Sequence, residues 1–485
     1  MIERLCEFVE YLKYQDVPEE VIEGTKDRIL DYLGCAFFGY EEKSSDIVSG
    51  FIKENGGKKG STIIGNGKTS MQYAALANGI LGHSKELDDE HKGSLTHLGA
   101  VIIPAALAIG ERKGVNGKDL ITSIVIGYEV GARIGMAVCS DVLLARGFHP
   151  TGVIGVFGST AAASKILKLN KNSIMSAMGI AGSLASGLFE FMSDGSWTKR
   201  LHPGWAAHNG IIAALLAEKG FTGPHSVIEG SYGLANTFSN CLKKEKLFNR
   251  LGESFEILKT SYKRHGCCSF IHPLIDAALE ILNKKRFDVK AIKEVKCKIF
   301  SAALPIVVEP WKNRKKVSNT VDAQFNAFHS LALSVYKGEP LWKGYSLEDL
   351  NNTSVIELAK RIKIEREESF DKEYPKNFPA EVKITLTNGQ VYIKKVSTNK
   401  GSPSWPMSRE EIETKFKMLC SHKCPSSQRD EIMQKIRRLE SLKKVEDLCS
   451  LLGNSFNRDK IGAGKRVRLK KAEVKFNGRS LENQI

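Results

Sequence analysis

Three imidazoles and four carboxylates fall within fifteen residues of this chain, in His83-Ser-Lys-Glu86-Leu-Asp88-Asp89-Glu90-His91 and the following Thr96-His97. Histidine changes charge near neutral pH, and adjacent carboxylates orient it and tune its basicity, so the segment has the makings of a proton-transfer centre. The same groups could hold a divalent metal, or simply cap two helices. A second histidine lies in Arg146-Gly-Phe148-His149-Pro150-Thr151-Gly152, where an imidazole beside helix N-terminal amides favours an anion. As an isolated motif it also fits a structured turn.

Two further segments set a basic pair among small or aromatic residues: Trp197-Thr198-Lys199-Arg200-Leu201-His202-Pro203-Gly204 and Tyr262-Lys263-Arg264-His265-Gly266-Cys267-Cys268. Such pairs clamp carboxylates when they face a cleft, and are solvated surface when they do not. Cys267 and Cys268 are reactive thiols if the neighbouring cations lower their pKa, and inert if they are merely buried.

Helices must position these groups. Val17 to Ala36 places Val21, Ile22, Ile29, Leu30 and Leu33 near helical spacing, with acids in the first turn and Pro18 at its start. Met71–Leu81, Leu98–Ile109, Asp119–Val138, Thr151–Ile166 and Ser173–Leu188 follow, rich in Ala, Gly, Ser and β-branched residues. Faces that small let helices approach closely and bury them on most sides, which predicts a mostly helical first half.

After about Gly266 the pattern changes. Lys296–Phe300 reads as a short strand, and Val382–Val396 as two alternating runs joined through Asn388-Gly389, a strong hairpin signal. Ser408-Arg409-Glu410-Glu411 then has the form of a capped helix start, and Ile412 to Leu452 returns to helical spacing. The fold class expected is mainly α: an all-helical domain from 1–265 and 405–452, an α+β lid domain from 266–404, and a basic tail from 453–485.

The chain has 485 residues, of which 42% are apolar and 26% charged, with a formal net charge of +16. Those proportions exclude disordered, collagen-like and membrane classes. Apolar runs stop short of the ~18–20 residues of a spanning helix, and acids occupy the N-terminus where a signal peptide is basic then apolar, so a cytoplasmic chain without a membrane span is expected. Ten cysteines are too sparse for a disulfide scaffold and are expected as reduced thiols. Cys420-Ser-His422-Lys-Cys424 lacks a second ligand pair, and no metal is expected there. Gly65-Asn-Gly-Lys-Thr-Ser70 lacks the leading glycine of a phosphate-binding loop, since Thr62 stands in its place.

Residues 454–485 hold nine Lys/Arg and three Asp/Glu. They supply much of the charge excess and raise a competing reading as a basic helical scaffold or RNA-associated protein. Only Phe456 and Phe476 interleave with the tail's cations, so a single-strand stacking platform is missing and nucleic acid is not the expected partner.

Taken in order, His83 through Gly99, Phe148-His149-Pro150, Thr198-Lys199 with His202-Pro203-Gly204-Trp205-Ala206-Ala207, Tyr262-Lys263, and Asn388-Gly389 resemble the MmgE/PrpD family over roughly residues 1 to 452. That family contains 2-methylcitrate dehydratase, cis-aconitate decarboxylase and iminodisuccinate epimerase. The resemblance implies a site between helical domain and lid, a homodimer, and no metal or organic cofactor. It implies catalytic roles for Glu86, His97, His149, Lys199 and Lys263, and substrate contacts from Glu90, Asp88, Arg264, Cys268 and His329. Four departures stand out: Glu86 where Asp is common, Glu90 where the decarboxylase has threonine, Cys268 for a histidine, and His329 for a tyrosine. The activity expected is that of a 2-methylcitrate dehydratase-like hydro-lyase acting on a small di- or tricarboxylic acid by α-proton abstraction, with epimerisation and decarboxylation as the alternatives.

Overall fold

Small side chains decide how the helices of the first half meet. A computed structural model describes residues 1–285, 287–311 and 317–453. In it, α1 (Glu19–Gly39), α2 (Met71–His83), α3 (Gly99–Lys113), α4 (Gly117–Ala137), α5 (Pro150–Ile166), α6 (Lys171–Leu184) and α7 (Thr198–Glu218) share one apolar core. Helices α2 and α7 cross so closely that a Cβ on Gly204 would lie 2.3 Å from the Leu76 carbonyl oxygen, and one on Gly79 would lie 2.6 Å from Gly204 Cα. Asn116 and Asn170 cap α4 and α6 by accepting the backbone N–H of Asp119 and Ser173.

Helix α6 stops at Leu184, short of the Leu188 suggested by its composition. The chain instead extends so that Leu188 bridges Phe148, with Gly187 at φ 135° and its carbonyl accepting the His149 N–H. Only glycine adopts that φ without strain. Helix α4 is long and apolar enough to cross a bilayer, contrary to the reading of apolar runs, yet 94% of that stretch is buried inside the protein. It also carries the buried Glu129–Arg133 ion pair, so it is a core helix.

The second domain has its own core, built on α8 (His272–Lys284), α9 (Ala327–Lys337) and a four-stranded sheet. Its strands are β1 (Ile292–Ile299), β2 (Ile362–Arg366), β3 (Ala380–Leu386) and β4 (Val391–Val396), in the order β2-β1-β3-β4. β1 pairs parallel to β2 and antiparallel to β3, while β3 and β4 form the hairpin through Asn388-Gly389. Alternate β3 residues are buried, and α8 packs on β3 and β4. β1 begins four residues before the expected strand because pairing to β3 extends it back to Ile292.

The chain returns as α10 (Arg409–Cys420), α11 (Ser426–Arg437) and α12 (Glu446–Leu452), three helices separated by turns, not one continuous helical run. Ser408 and Glu411 form the capping box of α10, which packs against α1. The basic tail from residue 454 lies outside the described residues. Ile64, Gly65 and Asn66 form the turn of a short antiparallel ribbon (Ser61–Ile63 with Gly67–Thr69), not a phosphate cradle. One expectation about thiols is overturned: Cys139 and Cys241 form a disulfide, with Cα atoms 5.9 Å apart, because the turn after α4 and the segment after α7 are packed side by side.

Candidate active site

Four distant stretches of chain meet where the two domains face each other. A backbone bridge joins Glu90 to Ser261, each N–H donating to the other's carbonyl, at 2.9 and 2.7 Å. It fastens the loop after α2 to the segment carrying Lys263. Tyr262 is in turn paired to Gly401, where the chain leaves the lid. Gly401 has φ 96°, and a Cβ there would strike the Tyr262 carbonyl at 2.3 Å, so this crossing requires glycine.

Glu86 stands at the centre. Its Oε1 accepts from Lys199 Nζ in a short contact, and its Oε2 accepts from Lys263 Nζ at 3.0 Å. All three side chains are buried. Burial alone would raise the Glu86 pKa, but the ammonium groups of Lys199 and Lys263 reverse this and hold the carboxyl well below its ordinary range. For Lys263, burial works against the charge, and Glu86, Asp88 and Glu90 outweigh it, so the ammonium is held more firmly than in water. Glu86 itself has φ 56°, a left-handed conformation that is rare and strained for a residue with a Cβ.

Behind the lysines runs a chain of hydrogen bonds. Asp88 Oδ2 accepts from His83 Nδ1 at 2.7 Å, and His83 Nε2 accepts from Lys199 Nζ at 2.7 Å. This fixes the His83 tautomer and the direction of the lysine. His97 Nδ1 lies 2.8 Å from the Asp89 carbonyl, which can only accept, so the proton is on Nδ1 and Nε2 keeps its lone pair. The Asp89 carboxylate accepts from the Gly99 N–H and Tyr128 hydroxyl, which ties the loop to α3 and α4. Burial, against the pull of Arg28, raises the Asp89 pKa to about 6.

His149, at the start of α5, shares a hydrogen bond with His202 of α7, Nδ1 to Nδ1 at 2.9 Å. Burial lowers the pKa of both His97 and His149 well below the free value; Lys263 adds to the effect at His97, and Lys199 at His149. His202 is lowered to about 4 by burial and Lys199. Two neutral imidazoles beside two cations form an electrophilic, base-bearing pocket.

Glu86, Glu90, His97, His149, Lys199, Lys263 and Cys268 line one cavity of about 50 Å³, walled on the lid side by Phe270, Ile306 and Phe325. Glu90 Oε2 is buried without a hydrogen-bond partner. Burial raises the Cys268 thiol to about 12 despite Lys263, so it is an unreactive wall.

Three residues expected at the substrate lie elsewhere. Asp88 is buried behind His83 and does not line the cavity. Arg264 points away from Lys263, pairs with Asp276 at 3.6 Å and lies over the Trp342 ring, because successive side chains of an extended segment face opposite ways. His329 is buried on α9 near Tyr345, with both ring nitrogens unpartnered, and burial brings its pKa down to about 4. Two residues matter more than their motifs suggested. His83 and His202 were visible as histidines, but nothing in the sequence pairs them with Lys199 and His149.

The only cluster with metal-ligand spacing among the described residues is His83, Asp88 and His97, whose ligand atoms lie within 4.8 Å of one another. His83 is committed on both ring nitrogens, to Asp88 and Lys199, and His97 Nδ1 to the Asp89 carbonyl; His97 Nε2 and Asp88 Oδ1 keep free lone pairs, but the ammonium on His83 Nε2 repels a cation. Cys420, His422 and Cys424 do not converge, as the thiols are buried and the imidazole is exposed.

Comparison with known proteins decides the family. Residues 3–246 match the MmgE/PrpD N-terminal domain and residues 265–440 the MmgE/PrpD C-terminal domain. The chain belongs to the MmgE/PrpD family. It is 29% identical to the cis-aconitate decarboxylase-like protein oryM of Aspergillus oryzae, over 92% of this chain and 96% of that one. It is 27% identical to the cis-aconitate decarboxylase of Aspergillus terreus, over 92% and 95% of the two chains. The cis-aconitate decarboxylase of Mus musculus is also 27% identical, over 91% and 90%. The family match spans both walls of the cavity, so helical domain and lid are inherited together.

Proposed function

We propose that this MmgE/PrpD protein is a lyase of small di- or tricarboxylic acids that works by proton transfer at the carbon next to a carboxylate. One observation carries the reading: two buried ammonium groups, Lys199 and Lys263, converge with the neutral imidazoles of His97 and His149 on a single cavity. The lysines bind the substrate carboxylate and stabilise the charge that builds on it as the α-proton leaves. One well-placed donor of this kind is worth ~3 kcal/mol of barrier in a water-poor site, and a positioned base contributes about 10²–10⁴ in rate. His97 Nε2 takes the proton.

At about 50 Å³ the cavity is well below the ~300–1,000 Å³ of ordinary ligand pockets, so a tricarboxylic acid enters as the lid parts from the helical domain. Glu86 bridges both lysines meanwhile and compensates one of their two charges.

For the fate of the carbanion, the unpartnered Glu90 Oε2 favours dehydration: it can accept the hydrogen bond of a substrate β-hydroxyl, and the electron pair expels that hydroxyl, which leaves as water with the proton that His97 has taken. A 2-methylcitrate-type substrate fits that step. Decarboxylation of a cis-aconitate-type acid is the second reading, supported by relatives named for it along nearly the whole chain. There no α-proton is removed first: the C–C bond to CO₂ breaks, its electron pair forms the carbanion that the lysines stabilise, and an imidazole that has taken a proton from solvent delivers it to carbon.

The test is incubation with 2-methylcitrate, citrate, cis-aconitate and iminodisuccinate in deuterated water, read by NMR. New vinylic signals without CO₂ identify a hydro-lyase, and CO₂ release from cis-aconitate identifies the carboxy-lyase. His149→Ala and Lys199→Ala should fold and lose turnover; near wild-type rates in both would sink the proposal. A homodimer is part of the same proposal, supported by a groove of about 780 Å³ whose lining leaves Ile47, Phe51, Leu188, Leu201 and Trp205 exposed.

A further inference from the structure

A second cavity, of about 860 Å³, lies on the other side of the 90–95 loop and shares no lining residue with the candidate active site. Glu90 and Leu95 face the small cavity, while His91, Lys92 and Gly93 face the large one. The helical domain contributes the end of α4, the turn at Cys139–Asp141 and parts of the 243–259 segment; the lid side contributes Pro375–Asn377 and Ser402–Ser404.

Its charge is one-sided. Seven Lys/Arg side chains line it against two carboxylates, Asp141 and Glu256. Arg133 is already neutralised by Glu129, and Lys259 by Glu256. Lys243, Lys246 and Lys376 have no carboxylate within ion-pair distance among the described residues, and Arg250 has only the solvent-exposed Glu253 at 3.5 Å.

Lys92 is the decisive residue. Its side chain is buried, with its ammonium held at 2.8 Å by each of three neutral oxygens, Thr398 Oγ1, Asn399 Oδ1 and Ser402 Oγ, and lying 4.4 Å from the centre of the Phe378 ring. A buried cation normally has a carboxylate in contact; here none touches the ammonium, and Glu90 and Asp276 act on it only from a distance. Burial accordingly lowers its pKa to about 8. An anion in the adjoining cavity would supply that charge.

We propose that this cavity is a binding site for a small, multiply charged anion, phosphorylated or polycarboxylic, held by Lys243, Lys246 and Lys376 at the rim and attracted from the floor by the charge of Lys92, whose three N–H donors stay with the protein. Because Lys376 belongs to the lid domain and Lys243 and Lys246 to the helical domain, the bound anion ties the two together next to the 91–93 turn. Occupancy therefore favours the closed arrangement of the candidate active site. The proposal does not depend on the lyase reading.

The experiment is calorimetric titration of the full chain at fixed 0.15 M ionic strength with inorganic pyrophosphate, tricarballylate and sulfate. Pyrophosphate or tricarballylate should bind at least tenfold more tightly than sulfate; the stronger of the two identifies the phosphate or the polycarboxylate source. The triple variant Lys243→Glu/Lys246→Glu/Lys376→Glu should weaken that binding at least tenfold, and the control Lys53→Glu/Lys58→Glu should leave it unchanged. Lys199→Met should also leave it unchanged, since that residue belongs to the other cavity. Should the triple variant misfold, Lys376→Glu alone carries the test. Binding no tighter than sulfate, binding insensitive to the rim variants, or binding abolished by Lys199→Met would each overturn the proposal.

Discussion

Replacing Glu86 with glutamine removes one charge from a buried cluster of three while hardly changing its volume. In the native site the carboxylate contacts both ammonium groups, Lys263 at 3.0 Å and Lys199 more closely. At an effective dielectric of ~20, a contact of that length is worth roughly 5 kcal/mol before desolvation is counted. Desolvation offsets much of this, and removing one partner of a buried pair costs about 3–5 kcal/mol because the survivor keeps its unpaired charge. Glutamine can offer its carbonyl to only one lysine, and its NH₂ must face the other. Glu86→Gln should therefore destabilise the protein by about 3–5 kcal/mol, read as a shift in the urea unfolding curve at pH 7.

The pH dependence has a definite sign. The Glu86 carboxyl titrates well below the ordinary glutamate value of ~4.3, so between the two values the unfolded chain binds more protons. Its contribution is complete above pH ~4.3 and is lost as the pH falls toward the folded value, so the variant should lose less stability on acidification than the wild type. A double-mutant cycle with Lys263→Met isolates the pair. Removing both charges should cost less than the sum of the single losses, by about 1.5 kcal/mol or more. Additivity within ~0.5 kcal/mol would refute the claim that the two charges compensate each other.

Other expected outcomes follow from the same geometry. Burial and the neighbouring lysines keep His97 and His149 neutral to more acid pH than free histidine, so the acid limb of kcat/KM should lie below ~6.5; a limb at or above that value contradicts the assignment of a neutral base. Gly204→Ala pushes a methyl group to 2.3 Å from the Leu76 carbonyl oxygen, which should cost about 1–3 kcal/mol in thermal or urea unfolding and lower turnover, since the same helix carries Lys199. Unchanged unfolding would show that α2 and α7 can separate freely. Asp89→Ala leaves the buried Tyr128 hydroxyl and the Gly99 N–H without their acceptor, so it should destabilise by roughly 2–4 kcal/mol. It should reduce kcat more than it changes KM, because His97 is tied to the same residue's carbonyl. Trp205→Glu places a charge in the exposed apolar groove and should shift light-scattering mass from dimer to monomer; a wild-type profile removes that face as the subunit contact.

Much of the fold was legible because it is locally encoded. The serine cap at Ser408, the small-residue helical faces and the Asn388-Gly389 turn each act within a few residues, so they can be read without knowing what lies opposite. The end of α6 was not legible, since its composition continues helical while the partner strand segment at Phe148 pulls Leu188 into an extended bridge. The Cys139–Cys241 disulfide was hidden for the same reason, with 102 residues between its ends.

Within the candidate site, the residue types and their order along the chain were determined by the sequence itself: histidines and carboxylates after α2, a histidine at the start of α5, and a lysine in each of two later segments. Their roles in the site were decided only in three dimensions. Lys263 and Arg264 are adjacent and both cationic, yet one is locked against Glu86 in the core and the other turns out toward Asp276 and Trp342. His329 and Asp88 carry suitable chemistry and are buried away from the cavity, while His83 and His202 acquire partners that no spacing rule supplies. The physical reason is that charge compensation and desolvation act through space and fall off within a few ångströms. Residues 113 and 177 positions apart can therefore share one carboxylate, while neighbours in sequence can share nothing.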